Sequence, residues 1–388
     1  MEVRARAPGK IILAGEHAVV HGCAAVAAAI NLYTTTSLRL HPAGEGGGAD
    51  SGVVELDLRD SGLTFSWPCS QLRGVLGEES GRAGVPMPCS PDQLAAIAKL
   101  LEGHQIPEAK IWLSAGLSAF LFLYTSILGC RPGKAVVTSD LPMGAGLGSS
   151  AAYNVSMSGA LLTAAGAVGV GGRGSAEEWE LFGKHDLELV NRWAFQGEMI
   201  IHGKPSGIDN AVSTFGSMIK FKKGEFTNLK SRNPVKMLIT DTRVGRNTKA
   251  LVAGVSERTS RHPDAMASVF HAVNSISEEV SNIVELAAED ETAITSKEDK
   301  LAELMEMNQG LLQCMGVGHS SIETVLRTTL KYNLVSKLTG AGGGGCVLTL
   351  IPMLLANMVL DKVTTELESH GFRCFEVEVG GQGLQVSR

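Results

Sequence analysis

The chain has seven cysteines, scattered singly at 23, 69, 89, 130, 314, 346 and 374, with no C-x-x-C spacing. Neither a disulfide framework nor a zinc site is suggested, and a reducing, cytoplasmic compartment is expected. Basic residues are short as well: 34 Lys and Arg against 40 Asp and Glu leave a net charge of −6. That balance lacks the footprint of a nucleic-acid binder, so anionic small molecules must be met by local donors. The N-terminus MEVRARAPGK has no apolar h-region, so no secretory signal is expected. No internal repeat is visible and no linker divides the chain. A Gly-Lys-Ser/Thr run is missing too, which excludes a Walker A loop.

One segment lacks charge altogether. Ile111 to Cys130, IWLSAGLSAFLFLYTSILGC, is 20 residues long, enough to cross a bilayer. Its hydroxyls at Ser114, Ser118, Thr125 and Ser126, and its isolation in the chain, favour a helix buried in a core or subunit interface. No membrane partner is expected. Core material is plentiful, with 44% hydrophobic residues in 388 and a mean hydropathy of +0.12, so two domains are expected. The division is set at 1–225 and 226–388, where strand and turn signals give way to a mostly helical stretch.

The pattern predicts two strands either side of a Pro8-Gly9 turn, a loop tip at 43–52 and a hairpin around Asp60-Ser61-Gly62. Helices are predicted over 91–103, 111–129, 150–165 and 186–202, with a glycine-rich loop at 166–175. Strands follow at GSMIKFKKG and VKMLITDT. Helices are then expected over 246–288, 298–315, 320–332 and 354–370, with the acidic run 288–300 as a break and FRCFEVEV as a last strand.

Three stretches carry chemistry. In DLPMGAGLGSSAA, three glycines separate a predicted strand, KAVVTSDL, from a predicted helix. Glycines let backbone N–H groups approach a ligand, and a helix start adds free donors and positive dipole character. Ser149 and Ser150 can donate to phosphate or hold Mg²⁺ through a hydroxyl; the alternative is a flexible turn with a serine cap. Gly340 to Gly345 matches G-x-G-x-x-G but precedes a strand, so the dinucleotide context fails. It remains a loop without side chains, able to pass close to another loop or a ligand. RAPGKIILAGEHAVVHG sets Lys10, Glu16, His17 and His21 within an apolar stretch. Any one of them alone reads as solvated or structural; their number is the informative point.

Taken together and in this order, these motifs resemble the GHMP kinase superfamily of small-molecule kinases. APGKIILAGEHAVVHG, PMGAGLGSSAA, EMIIHGKPSGIDNAVSTFG, GRNTKALV and KLTGAGGGGC are similar to its eukaryotic-type branch acting on (R)-mevalonate, over Ala7 to Cys346. Lys10 and Ala18-Val19 differ from the Arg and Thr-Asp expected of galactokinase-like relatives. The resemblance implies an α+β fold with an N-terminal domain like ribosomal S5 domain 2 and a ferredoxin-like C-terminal domain. ATP and substrate would lie in the cleft between them.

By the same resemblance, Gly144, Ala145, Gly146, Leu147, Gly148, Ser149 and Ser150 wrap the ATP phosphates, and Ser139 approaches the nucleotide. Ser150 and Glu198 would hold Mg²⁺. Asp209 would be the general base, with Lys10 beside it near the phosphates. His17 and Thr248 would help orient the C5 end or carboxylate of (R)-mevalonate, with Glu16 as a supporting residue. Mammalian-type members would have asparagine near Asp60, which leaves the adenine-side contacts open. A homodimer and competition by prenyl diphosphates are implied as well.

The residues themselves leave alternatives. Asn191, Phe195, Glu198 and His202 share one helical face, yet Glu198 could be a solvated carboxylate. Ser206-Gly-Ile-Asp209 is S-x-x-D, close to a capping box, so Asp209 could merely start a helix. At the level of function, a kinase of another small alcohol and a ligand-sensing pseudoenzyme remain as alternatives. Lys10, Ser150, Glu198 and Asp209 occurring together argue against the second.

Overall fold

The computed structural model describes residues 2–41, 52–77, 83–104, 106, 113–169, 178–245 and 247–388. The loop tip and much of the glycine-rich loop predicted above lie outside them. The chain opens with strand β1 (Glu2–Ala14), where buried Val3, Ala5 and Ala7 alternate with exposed Glu2 and Arg4 and half-buried Arg6. Beyond Ala7 nearly every β1 residue is buried, and four of the described helices pack against the strand. The predicted Pro8-Gly9 turn is absent: β1 runs straight through, and only its pairing register shifts between Pro8 and Gly9. A bulge needs one locally irregular residue rather than a chain reversal.

Strand β2 (Ala25–Leu40) pairs with β1 along its length. The hairpin β3 (Val53–Leu58) and β4 (Leu63–Pro68) closes on a short turn at Arg59–Ser61, as predicted. Helix α1 (Cys69–Leu76) follows, then α2 (Pro91–Glu102), which starts in a Ser90/Gln93 capping box with proline at its first turn. The uncharged segment forms α3 (Leu113–Leu128), with Leu117, Phe120, Leu121, Leu123 and Tyr124 in the main core. Among the described residues no helix is long and apolar enough to cross a membrane. Strand β5 (Gly133–Ser139) then leads to α4 (Ser149–Ala164), strand β6 (Glu180–Leu181), α5 (Lys184–His202) and α6 (Ile208–Phe215).

Strands β7 (Met218–Lys222) and β8 (Glu225–Leu229) form a hairpin, so position 225 is the first residue of its second strand. After β9 (Val235–Asp241) come α7 (Thr248–Arg261) and α8 (Pro263–Glu285), split where Pro263 starts a new helix. Helix α9 (Glu291–Met315) begins inside the acidic run predicted as a break. Asp290 caps it by accepting from Ala293 N at 2.7 Å, and acidic residues suit a helix start. Helix α10 (Ser320–Leu330), β10 (Ser336–Leu338), β11 (Cys346–Ile351), α11 (Asn357–Ser369), β12 (Arg373–Val379) and β13 (Gln385–Ser387) complete the chain.

The described strands form one sheet, with β10-β11-β9-β12-β2-β1-β13-β6 as its main path. Strands β5 and β7 also branch from β2, because β2 is long enough to serve several partners. The pairs are antiparallel except β3 with β5. Helix α4 lies on β1 and β2, and α3, α5 and α6 pack around it.

Candidate active site

The loop between β5 and α4 takes the shape that its glycines permit. Gly144, Gly146 and Gly148 have φ of +73°, +87° and +73°, a region closed to most side chains. Ala145 and Leu147 turn inward and are buried, anchoring the loop. The Leu147 carbonyl accepts from Lys10 N at 2.8 Å, so the loop lies against β1. A Cβ at Gly148 would stand 2.9 Å from Lys10 Cγ. The serine cap considered above is absent: Gly148 is the cap residue of α4 and makes no side-chain cap hydrogen bond. The first N–H groups of α4 therefore have no capping side chain and remain available to an anion.

Lys10, 5% exposed, reaches Asp209 Oδ1 with its Nζ at 3.2 Å. Asp209 stands in the first turn of α6, whose cap residue is Gly207 at φ +81°. Ser206 Oγ accepts only from Ile208 N, at 3.4 Å, so the capping box suggested by S-x-x-D does not form through Asp209.

Glu198 projects from α5 toward α4 and is 3% exposed. Ser150 Oγ donates to its Oε2 at 3.3 Å, and Asn154 Nδ2 donates to its Oε1 at 2.8 Å. His202 Nε2 lies 3.1 Å from Ser150 Oγ and 3.6 Å from Glu198 Oε2. Burial pushes the Glu198 carboxyl up to about 7, and nearby Asp209 adds to the rise. The bonds from Asn154 and Ser150 and the charge of Lys10 pull the other way without overcoming burial. Burial also lowers His202. Helices α4 and α5 approach closely here, since a Cβ on Gly197 would stand 2.2 Å from Asn154 Oδ1.

Ser139 ends β5, and its N–H donates to Asp60 Oδ2 at 2.7 Å. Its hydroxyl meets Thr34 Oγ1 at 2.8 Å and accepts from Leu141 N at 3.3 Å. Asp60 thus fixes the entrance of the glycine loop.

Glu16 and His17 form a second cluster. The Glu16 side chain is fully buried in an ion pair with Lys337 of β10, and its Oε2 accepts from Asn308 Nδ2 at 3.1 Å. His17 is 7% exposed with φ +61°, and its Nε2 donates to the Ala341 carbonyl at 2.9 Å. The Gly340–Gly345 loop is pressed against its neighbours: Gly343 N donates to Val317 O at 2.8 Å, and a Cβ at Gly342 would lie 2.3 Å from that oxygen. Thr248 is exposed at the start of α7, where Asn247 caps by accepting from Ala250 N at 3.1 Å.

Lys10, Leu147–Ser150, Glu198 and Asp209 are therefore gathered into one site. Among the described residues, no hydrogen bond or ion pair ties Glu16 or Thr248 to it. Asn154, Lys337 and Asn308 escaped the sequence reading. Asn154 carried one usable signal, its i+4 spacing from Ser150 on the same helical face. Lys337 carried another, a charge inside the apolar strand context of LVSKL.

The chain matches the family model for the GHMP kinases N terminal domain over residues 117–217 and that for GHMP kinases C terminal over 290–368. It is 55% identical to the mevalonate kinase of Arabidopsis thaliana over 389 residues, with 100% of both chains covered. It is 40% identical to the Homo sapiens mevalonate kinase, covering 98% of this chain and 93% of that one. The solved L. major mevalonate kinase in complex with R-mevalonate shares the fold at a TM-score of 0.66 and 21% identity, with 97% and 96% coverage. Fold and loop together define a GHMP kinase, an α+β enzyme that uses ATP. Within that class the chain belongs to the mevalonate kinase family, and its sequence fits the eukaryotic type.

Proposed function

We propose that this enzyme transfers the γ-phosphoryl group of ATP to the C5 hydroxyl of (R)-mevalonate, giving (R)-5-phosphomevalonate for isoprenoid synthesis. The observation that carries the chemistry is the Lys10–Asp209 pair at 3.2 Å, set at a helix start against the glycine loop. Asp209 takes the hydroxyl proton as the phosphoryl group arrives. Lys10 keeps a fixed positive charge beside that carboxylate and the phosphates. Gly144 to Ser150 receive the phosphates on backbone N–H groups, and Ser139 faces the nucleotide.

Ser150 and Glu198 are assigned to Mg²⁺, which neutralises phosphate charge when bound. A carboxylate that burial holds up at about 7 favours a nearby cation, which suits the assignment. Among the described residues no cluster of three or more His, Cys, Asp or Glu could cage a metal. Mg²⁺ needs no such cage, since it keeps one or two carboxylates and takes its remaining ligands from phosphates and water. His17 and Thr248 orient (R)-mevalonate, with Glu16 behind His17.

A division into domains 1–225 and 226–388 belongs to the same proposal, supported by family matches that fall on either side of it. So do a homodimer, a cytoplasmic location and competition of prenyl diphosphates with ATP.

The test is ADP release with (R)-mevalonate against a panel of other small alcohols. Release that depends on (R)-mevalonate supports the reading. Release with another alcohol alone moves the enzyme to a different substrate, and no release with any points to a sensor.

A further inference from the structure

Lys337 is fully buried in β10, an unusual setting for a lysine. Its ammonium has three donors, and three acceptors meet them: the Glu16 carboxylate, Ile12 O at 3.3 Å and Leu338 O at 2.7 Å. Asn308 of α9 holds the other Glu16 oxygen, while the next side chain, Gln309, accepts from Leu338 N at 2.9 Å. Burying such a pair is a poor way to gain stability, since well-packed apolar residues do as well or better. The pair has a different consequence in the backbone beside it.

Glu16 sits between Gly15 at φ +102° and His17 at φ +61°, ψ −46°. A non-glycine residue persists in such a conformation only where its surroundings over-determine it. At Gly15 there is no room for adjustment, because a Cβ there would lie 2.4 Å from Ala25 Cα. Glu16 is clamped by Lys337 and Asn308. On the far side His17 Nε2 is held by Ala341 O, four residues beyond Lys337 in the chain. Thr339, between them, exchanges two bonds with Ile12, N to Oγ1 at 2.9 Å and Oγ1 to O at 3.1 Å. One short segment, 337–341, thus grips the turn at both ends.

We propose that Lys337 is a positioning residue for the substrate end of the site: through Glu16 it fixes the left-handed turn that aims the His17 imidazole. This rests on the reading of His17 as a substrate contact given above. Glu16 then acts by way of the turn and does not touch (R)-mevalonate.

The test uses the full-length enzyme and the double variant Glu16→Gln/Lys337→Met, which removes both charges and leaves neither buried alone. The KM for (R)-mevalonate is expected to rise roughly 10–100-fold, as a misaimed contact does, with the KM for ATP unchanged. The His17 ring resonance in the NMR spectrum, assigned by its loss in His17→Asn, should shift as well. A lowered unfolding temperature with both KM values and the His17 resonance unmoved would make the pair structural and overturn the proposal. Should the double variant not fold, Lys337→Arg keeps the charge but alters the three-donor geometry, and the same readouts decide. A parent enzyme without (R)-mevalonate-dependent ADP release would remove only the functional reading. The His17 resonance then decides the positioning role by itself.

Discussion

At Asp209 two roles make opposite demands. A capping carboxylate tolerates replacement by asparagine, itself a good cap. A general base does not, because an amide cannot take the proton. Helix α6 is capped by Gly207, and Asp209 makes no cap hydrogen bond. Asp209→Asn is therefore expected to fold and bind ATP normally, while turnover falls roughly 10²–10⁴-fold. A variant that keeps more than about a tenth of parental turnover would leave the proton without this acceptor and exclude the role. Glu198 behaves differently because its carboxyl rises from 4.5 to about 7 in the folded chain. The folded protein then holds a proton that the unfolded chain has released, so stability falls as pH rises across that interval and levels off above it. The shift corresponds to about 3 kcal/mol. Without ligands, Glu198→Gln should unfold at a higher temperature than the parent above neutrality, with the gap closing in acid. Its turnover should fall and its Mg²⁺ requirement rise. Thermal scans in which the gap widens toward acid would refute the burial argument. Glycine-bearing stretches drew attention to Lys10, Ser150 and Asp209, but only the family resemblance gave them roles, since each alone reads as solvated, structural or capping. The partner of Glu16 was not legible, because Lys337 lies 321 residues away and no local pattern announces it.

The glycine loop separates two effects that are usually mixed. Gly144 and Gly148 share φ +73°, so a methyl group at either position carries the same left-handed penalty of about 1–2 kcal/mol. Their surroundings differ. A Cβ at Gly144 meets nothing within 4 Å, whereas one at Gly148 reaches Lys10 Cγ at 2.9 Å. Both alanine variants should lose some stability, but only Gly148→Ala should displace the lysine beside Asp209. Its turnover is expected to fall at least about tenfold below that of Gly144→Ala, as a displaced catalytic group implies. Equal losses in the two would mean that backbone strain alone governs the loop. Other elements show where local pattern stops informing. Helix α9 starts within an acidic run that reads as a loop, because Asp290 caps it and Lys297 is held by the Leu286 carbonyl at 2.8 Å. Pro8-Gly9 reads as a turn, yet both residues pair with β2 and Ser213 Oγ of α6 donates to Pro8 O at 2.7 Å, which keep the strand extended. At Pro8-Gly9 tertiary contacts override the local signal, whereas at α9 a local cap outweighs the acidic composition. Helix α2 was legible to within a residue, since its capping box and proline are both local.

The molecule is joined across its length by strands that return. Strand β2 pairs with β1 and β5 and also with β12, while β13, at the end of the chain, pairs with β1 and β6. Sequence periodicity could name most of these strands but not their partners, because pairing lies between positions hundreds of residues apart. Leu384 is the most informative contact in this closure. It is 1% exposed, its N–H donates to Thr214 O of α6 at 3.0 Å, and its methyls sit 3.0 Å from where a Gly159 Cβ of α4 would be. Truncating it removes apolar contact with α4, which carries site residues, while the backbone bond to α6 stays, so the gap cannot close without moving one of the two helices. Leu384→Ala is thus expected to cost about 2–5 kcal/mol. Leu330→Ala, at a residue 69% exposed, should stay within about 0.5 kcal/mol. Because the shared sheet couples both halves, calorimetry should show one transition that moves as a whole in Leu384→Ala. Two transitions, only one of them shifted, would mean that the halves unfold separately and that the returning strand does not unite them.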